Sequence, residues 1–227
     1  MKRSKVYRKS KELIAKKSYP LNEAIELVKK TAKTKFDGSI ELHVALDLGK
    51  KGDQSVRGTV DLPNPTGKKV RVAVFVEKAK QAEAKKAGAE IVGEDDLIEK
   101  VSKGFSDFDV AIATPTMMKK MGKLGKVLGQ KGLMPSPKAG TITPDPAKLV
   151  EEFQKGRVEI RADKLGSVHQ VVGKVSFDDQ KLNQNILAIY HTVISAKPEG
   201  LKGSYLKSVC LASTMGPSVG VDIASLK

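Results

Sequence analysis

The side chains best suited to contact a ligand lie in three short segments that each contain a turn-forming glycine: TKFDGS (34–39), RADKLGSVHQ (161–170) and STMGP (213–217). Small hydroxyls and exposed glycine backbone can approach ribose 2′-OH groups closely, and an unbranched Met can lie flat on a sugar or base. These residue types favour RNA as the ligand. Each segment also fits an ordinary turn, and an isolated Phe is more often part of a core. The candidates are Lys35, Phe36, Asp163, Lys164, His169, Ser213, Thr214, Met215 and Gly216.

Motifs for catalysis, nucleotide binding and metal binding are absent or incomplete. GPSVG (216–220) matches the nucleophile pattern G-x-S-x-G, but that pattern needs a following helix and then Asp and His, and all three histidines lie upstream. The glycines of 122–132 fit neither common phosphate-loop pattern. The histidines have no metal-ligand spacing, and a single cysteine, Cys210, excludes an internal disulfide and a multi-cysteine zinc site. The sequence therefore predicts no catalytic residue, no metal site and no cofactor.

The charge balance indicates a polyanionic partner. The 227 residues include 41 Lys and Arg against 26 Asp and Glu, a net charge of +15. Residues 1–17 carry eight basic side chains and one acid, and Val110–Pro144 contains six lysines and no acid. An anionic membrane is a poorer partner, because aromatic residues are 4% of the chain, Trp is absent and no run of 18 apolar residues occurs. We expect a cytoplasmic protein that binds nucleic acid.

The middle of the chain has the pattern of a parallel sheet. VRVAVFV (70–76) is continuously apolar and is followed by alternating helical segments and two further apolar strands, AEIV and DVAIAT. Continuous apolar strands that alternate with helices are typical of a Rossmann-like sheet that is covered on both faces. We therefore predict an α/β domain over residues 68–156.

The two outer segments have a different period. Residues 40–48 and 55–62 alternate apolar with polar side chains, and so do the segments from Arg157 onward, including strands at about 203–213 and 218–223. Helices are predicted over 20–33 and along the apolar side formed by Leu182, Ile186, Ile189, Val193 and Ile194. Neither segment alone can cover its apolar faces. The predicted fold class is thus a discontinuous α+β domain (1–67 and 157–227), an antiparallel sheet with two helices, with the Rossmann-like domain inserted through hinge-capable connections.

Four stretches carry a resemblance to a known family: GDQSVRGTVDLP (52–63), LGKVLGQKGLMPSPKAGT (124–141), ADKLGSVHQVVGKVSF (162–177) and STMGPSV (213–219). They resemble the bacterial ribosomal protein L-one family, the first-numbered protein of the large subunit, over essentially the whole chain. The sequence departs from the family at Gln130, where Pro is usual, and in the Lys164–Gly166 turn. The family is similar in having a discontinuous RNA-binding domain and a mobile inserted Rossmann-like domain.

The resemblance implies a non-enzymatic constituent of the large ribosomal subunit. Such a protein is monomeric when free, binds the rRNA of the mobile stalk beside the tRNA exit site, and assists release of deacylated exit-site tRNA. It also represses translation of its own operon by binding its mRNA. The family's RNA contacts, carried over position by position, fall on Lys35, Phe36, Ser39, Asp163, Lys164, His169, Ser213, Thr214, Met215 and Gly216. On this basis Phe36 is expected to face RNA rather than to fill the core.

Two other interpretations follow from the residues alone. An enzyme could use the Rossmann-like segment on a phosphorylated or nucleotide substrate, which predicts saturable small-ligand binding near 122–132. A general DNA-binding architectural protein would also be basic. A surface that contacts 2′-OH groups should instead prefer structured RNA to duplex DNA.

Overall fold

The chain forms two compact units. A computed structural model describes residues 4–48, 56–67, 70–163, 165–198, 201 and 203–226. One unit comprises Met1–Gly67 and Val158–Lys227, and the other comprises Lys68–Arg157. We call them the outer unit and the inner unit. The outer unit contains antiparallel strands and the inner unit parallel strands, which confirms the predicted mixture of the two kinds of sheet.

The described residues form eight α-helices, nine strands and three short 3-10 segments. The helices are α1 (Lys5–Glu12), α2 (Leu21–Thr31), α3 (Lys78–Lys86), α4 (Asp95–Ser102), α5 (Pro115–Met121), α6 (Gly125–Lys131), α7 (Pro146–Lys155) and α8 (Asp179–Ser195). The strands are β1 (Ser39–Leu46), β2 (Arg57–Asp61), β3 (Val72–Phe75), β4 (Ile91–Gly93), β5 (Val110–Ala113), β6 (Arg157–Arg161), β7 (Ser167–Lys174), β8 (Leu206–Ser213) and β9 (Ser218–Val221).

The outer unit is built on a four-stranded antiparallel sheet in the order β7-β1-β8-β9. Alternate residues of β1 are fully buried, from Ile40 to Leu46, and belong to one core cluster with the apolar sides of α2 and α8. Both helices therefore cover the same face of the sheet. The other residues of β1, from Ser39 to Ala45, are partly exposed on the opposite face, which we call the open face.

The strands β2 and β6 correct the prediction of a single sheet. They pair with each other in a separate two-stranded sheet. Strand β2 packs against α8, and Val60 and Ile160 are buried in the same core as the main sheet. Alternation identified both strands but could not assign their partners, because a period of two is the same in every antiparallel sheet.

The inner unit has a three-stranded parallel sheet in the order β4-β3-β5. Every residue of the central strand β3 is buried. Two apolar clusters enclose the sheet: one includes Leu97, Met117 and Leu128, and the other includes Val150 and Phe153. This two-sided burial explains why the sequence of β3 is continuously apolar rather than alternating.

Several local predictions were wrong. Two helices had no counterpart among the predicted elements: α1 in the basic N-terminal arm and α6 in the glycine-rich segment. The predicted strand AEIV begins only at Ile91. Ile194 was assigned to the apolar side of α8 but is 39% exposed, because it lies one residue beyond the buried Val193, close to the helix end.

Candidate RNA-binding site

Two of the predicted segments meet at one end of the open sheet. Thr214, in the turn between β8 and β9, exchanges hydrogen bonds with Ser39 at the start of β1. The Ser39 amide donates to Thr214 Oγ1 at 3.0 Å, and the Thr214 amide donates to the Ser39 carbonyl at 2.9 Å. The Thr214 hydroxyl also donates to that carbonyl at 3.2 Å. The threonine thus fixes the β8–β9 turn against the segment that connects α2 to β1.

Large apolar side chains project from this end of the sheet into solvent. Phe36 is 60% exposed and Met215 is 83% exposed, and Lys35 is also exposed. Met215 has φ 63°, the one positive φ among the described residues that are not glycine. Residue type alone favours a core position for Phe36, but the side chain does not lie in the core. We call Lys35, Phe36, Ser39 and Ser213–Gly216 the hairpin cluster.

Ser213 is placed differently from the other members of the hairpin cluster. It is 4% exposed, and its hydroxyl has no hydrogen-bond partner among the described residues. The Gly216 amide donates to the Ser213 carbonyl at 2.8 Å, and a Cβ at Gly216 would lie 2.2 Å from Ser213 Oγ. A side chain at position 216 would therefore require the Ser213 hydroxyl to shift, and that hydroxyl is buried beneath the surface of the turn.

Two side chains of β7 and its following loop stabilise the hairpin cluster. Lys174 Nζ donates to Ser39 Oγ at 3.0 Å. Asp37 accepts from the Ser176 amide at 3.2 Å and from the Ser176 hydroxyl at 2.8 Å. These bonds limit the movement of the segment that carries Lys35 and Phe36, so less ordering is needed when a ligand binds.

The third predicted segment lies beside the start of β7 and is not part of the hairpin cluster. Asp163 Oδ1 accepts from the amides of Leu165 and Ser167 at 2.9 and 2.7 Å, which closes the turn before β7. The amide of Ser167 is the main reason that the pKa of Asp163 is lowered, and His169, whose Nε2 lies 3.6 Å away, lowers it further. Lys164 lies outside the described residues.

A histidine pair that sequence reasoning missed completes this region. His43 on β1 opposes His169 on β7, and their Nδ1 atoms are 2.8 Å apart. Burial lowers the pKa of His43 and His169 lowers it further, while Glu41, at 3.8 Å from His43 Nε2, raises it. Alternation placed His43 on the polar side of its strand, but the register that joins it to His169 was not visible in the sequence.

The two regions share the open face. Ser39, Glu41 and His43 are alternate residues of β1, so they point to the same side, and His169 joins them through its register with His43. At about 3.3 Å per residue, Ser39 and His43 are roughly 13 Å apart along the strand. This spacing suits an extended ligand better than a small one.

The lysines of the acid-free stretch lie on the inner unit. Lys119, Lys120, Lys123, Lys126 and Lys131 are exposed. Lys120 is paired with Asp95 and Glu94, whose hydrogen bonds raise its pKa, and Lys131 contacts the hydroxyl of Ser106. The stretch is therefore less uniformly cationic in three dimensions than in sequence.

A sequence profile of the family described as Ribosomal protein L1p/L10e family matches residues 28–217. The chain belongs to this family. The large ribosomal subunit protein uL1 of Thermosipho melanesiensis is 53% identical over 228 residues, which span 99% of this chain and 98% of the relative. The uL1 protein of Thermosipho africanus is also 53% identical over the same shares. That of Fervidobacterium nodosum is 50% identical over 225 residues, covering 98% and 96%.

Membership of the L1p/L10e family confirms the resemblance seen in the sequence. The protein is a constituent of the large ribosomal subunit, located with ribosomes in the cytoplasm, and is not an enzyme. Within the described ranges, no helix has the length and apolar character needed to cross a membrane, and no group of three or more His, Cys, Asp or Glu side chains is arranged to bind a metal ion.

Proposed function

We propose that the outer unit is the rRNA-binding domain of this ribosomal protein, and that its hairpin cluster and the Asp163–His169 region contact the rRNA of the mobile stalk. The inserted segment, 68–156, would then be a Rossmann-like domain without a nucleotide site. The observation that carries this proposal is the Thr214–Ser39 contact, which fixes the turn beneath an exposed Met215. The partly exposed backbone of Gly216 and the unbranched side chain of Met215 are groups that can approach ribose and unstacked bases.

Specificity in this proposal comes from the turns, and long-range attraction comes from the lysines. Hydroxyl and backbone contacts recognise the shape and the 2′-OH groups of a folded RNA, whereas charge alone does not distinguish RNA from DNA. Structured RNA should therefore displace bound RNA far more effectively than duplex DNA of equal length. Equal competition by the two would favour a general DNA-binding architectural protein instead.

The test is the affinity for a transcript of the stalk rRNA. Thr214→Ala and Met215→Ala should each weaken binding by about 1–3 kcal/mol without loss of the fold. Thr214→Ala should also lower the unfolding midpoint, because the Ser39 amide loses its acceptor, whereas Met215→Ala should leave the midpoint almost unchanged. Ile194→Ala, which removes an exposed apolar side chain on the helix side of the outer unit, is the matched control. Affinity that is unchanged in both variants would remove the hairpin cluster from the site.

The remaining roles concern tRNA and mRNA. We propose that the protein assists release of deacylated tRNA from the exit site, and that it represses its own operon by binding an mRNA structure that resembles the rRNA site. Large subunits that lack the protein should then release deacylated tRNA more slowly. A reporter that carries the operon leader should be repressed by the wild type but not by Thr214→Ala. Repression that is equal in both would separate the mRNA site from the hairpin cluster.

A further inference from the structure

We propose that the open face continues into a second RNA subsite at the β9 edge, where Lys17 and Lys207 bind phosphates of the RNA backbone. This inference rests on the proposed function of the outer unit and extends it to a surface that the hairpin cluster does not include. The subsite is a groove of about 290 Å³, and its lining includes Lys17, Lys207, Ser208, Cys210 and Gly220.

The N-terminal arm forms one wall of this groove because it pairs with the sheet edge. The Tyr19 amide donates to the Gly220 carbonyl at 3.0 Å, and the Asp222 amide donates to the Tyr19 carbonyl at 2.8 Å, which makes a parallel bridge beside β9. A Cβ at Gly220 would lie 2.2 Å from the Lys17 carbonyl oxygen. Glycine at this position therefore lets the arm approach closely enough to place Lys17 at the groove.

The floor of the groove belongs to the same open face as the histidine pair. Cys210 is the register partner of Gly220 on one side and of His43 on the other, and His43 is the partner of His169. One row of residues thus crosses all four strands, from the arm to the Asp163 region. The side chains nearest the arm are small, so a ribose-phosphate backbone can approach the sheet there without steric conflict.

The charges around the groove favour an anion. Lys17 and Lys207 are exposed and line it, and residues 4–17, the arm that leads to Lys17, hold five further basic side chains against the single acid Glu12. Two carboxylates are also present: Asp222 lines the groove, and Asp47 is paired with Lys207. Asp222 caps the amide of Ala224 at 3.1 Å, and Asp47 lies 3.5 Å from Lys207 Nζ. Both lysines are exposed residues, and the Lys207 side chain is 59% exposed despite its pairing with Asp47, so phosphate oxygens can replace the water around them.

The shape of the groove favours a polymer over a small anion. It is open along the sheet rather than enclosed, and it joins a surface whose other end carries the hairpin cluster. An RNA strand that lies on the hairpin cluster could therefore continue across the row of Cys210 and His43 toward Lys17. An acidic peptide is the competing occupant, and the experiment below separates the two.

The first measurement compares charge removal on the two faces of the outer unit. The variant Lys17→Ala/Lys207→Ala is matched with Lys30→Ala/Lys197→Ala, which removes two exposed lysines from α2 and from the segment after α8. The groove variant should bind stalk rRNA about tenfold more weakly near 0.1 M salt, and its log affinity against log salt should be about 1.4–1.8 less steep. Equal behaviour of the two variants, while the wild type still binds, would overturn the groove but not the proposed function.

The second measurement uses Cys210 as a probe, because it is the one cysteine of the chain. Burial raises the pKa of its thiol, so alkylation by N-ethylmaleimide is followed at mildly alkaline pH. Saturating stalk rRNA should slow the alkylation at least fivefold, and polyglutamate should not. An unchanged rate with bound rRNA would overturn the proposal, as would stronger protection by polyglutamate. A wild type that binds no stalk rRNA would refute the proposed function itself.

Discussion

Met215 occupies left-handed backbone that costs a residue with a Cβ about 1–2 kcal/mol, and its exposed side chain gains little packing in return. Met215→Gly should therefore raise the free energy of unfolding by about 0.5–1 kcal/mol, since the relieved strain exceeds the added entropy of the unfolded chain. The same change should weaken binding to stalk rRNA. Urea denaturation and filter binding measure the two effects.

Met215→Ala is the control for this prediction. It keeps the backbone strain but removes the long side chain, so its stability should stay near that of the wild type while its RNA affinity falls as in Met215→Gly. Loss of stability in Met215→Gly would show that the left-handed backbone is not strained in the way inferred here.

The histidine pair makes stability depend on pH. The lowered pKa of His43 means that the unfolded chain, with a pKa near 6.5, binds the proton more readily than the folded chain. The contribution of neutral His43 is fully present above pH 6.5 and is lost as the pH falls toward its folded pKa. The free energy of unfolding should decrease between pH 7.5 and 5.5.

His43→Gln isolates this contribution. The variant should lose less stability than the wild type over the same pH interval, as measured by urea denaturation at each pH. Asp163 does not interfere with this measurement. Because its pKa is lowered in the folded chain, its contribution to the free energy of unfolding is fully present above pH 3.8 and is lost only as the pH falls below that value. A wild type whose stability does not change between pH 7.5 and 5.5 would contradict the inferred state of His43.

Residue types alone identified the exposed tip of the hairpin but not the groups beneath it. An isolated Phe fits a core equally well, and only the resemblance to the ribosomal family assigned Phe36 to the surface. Ser213 was expected to offer a surface hydroxyl, yet it is buried. His43 was missed because its significance depends on strand register, which is set by the whole sheet and not by its own segment.

At the scale of elements, the buried Asn185 links a helix to the backbone of two other segments. Its side-chain oxygen accepts from the Asn64 amide at 3.0 Å, and its side-chain nitrogen donates to the carbonyls of Asn64 and Val172 at 2.8 Å each. Asn185→Ala leaves these three groups without their partner and should lower the free energy of unfolding by about 2–4 kcal/mol. Asn183→Ala on the same helix, which loses one exposed bond to Asn22, should cost less than about 0.5 kcal/mol.

The strands and helices were predicted best where one periodicity extended over many residues. The continuous apolar run of β3 and the alternation of β1 gave the correct elements because each pattern is compatible with one environment. Helix α6 was missed because Gly125 and Gly129 are poor helix formers, and its formation depends on buried neighbours such as Leu128. Burial of Leu128 in the core therefore stabilises a helix that the low helix propensity of its glycines disfavours.

For the whole molecule, the net charge of +15 gives a prediction about salt. If RNA binding neutralises about six to eight phosphates, log affinity should fall with log salt with a slope of roughly −4 to −7. A nearly flat response would refute the phosphate contacts.

The slope of log affinity against log salt also reports which unit makes the phosphate contacts, because each lysine that binds a phosphate contributes about 0.7–0.9 to it. The variant Lys119→Ala/Lys123→Ala/Lys126→Ala, on the inner unit, should therefore keep the wild-type slope on stalk rRNA. A slope less steep by about 2 would move phosphate binding to the inner unit and contradict the assignment of rRNA binding to the outer unit alone.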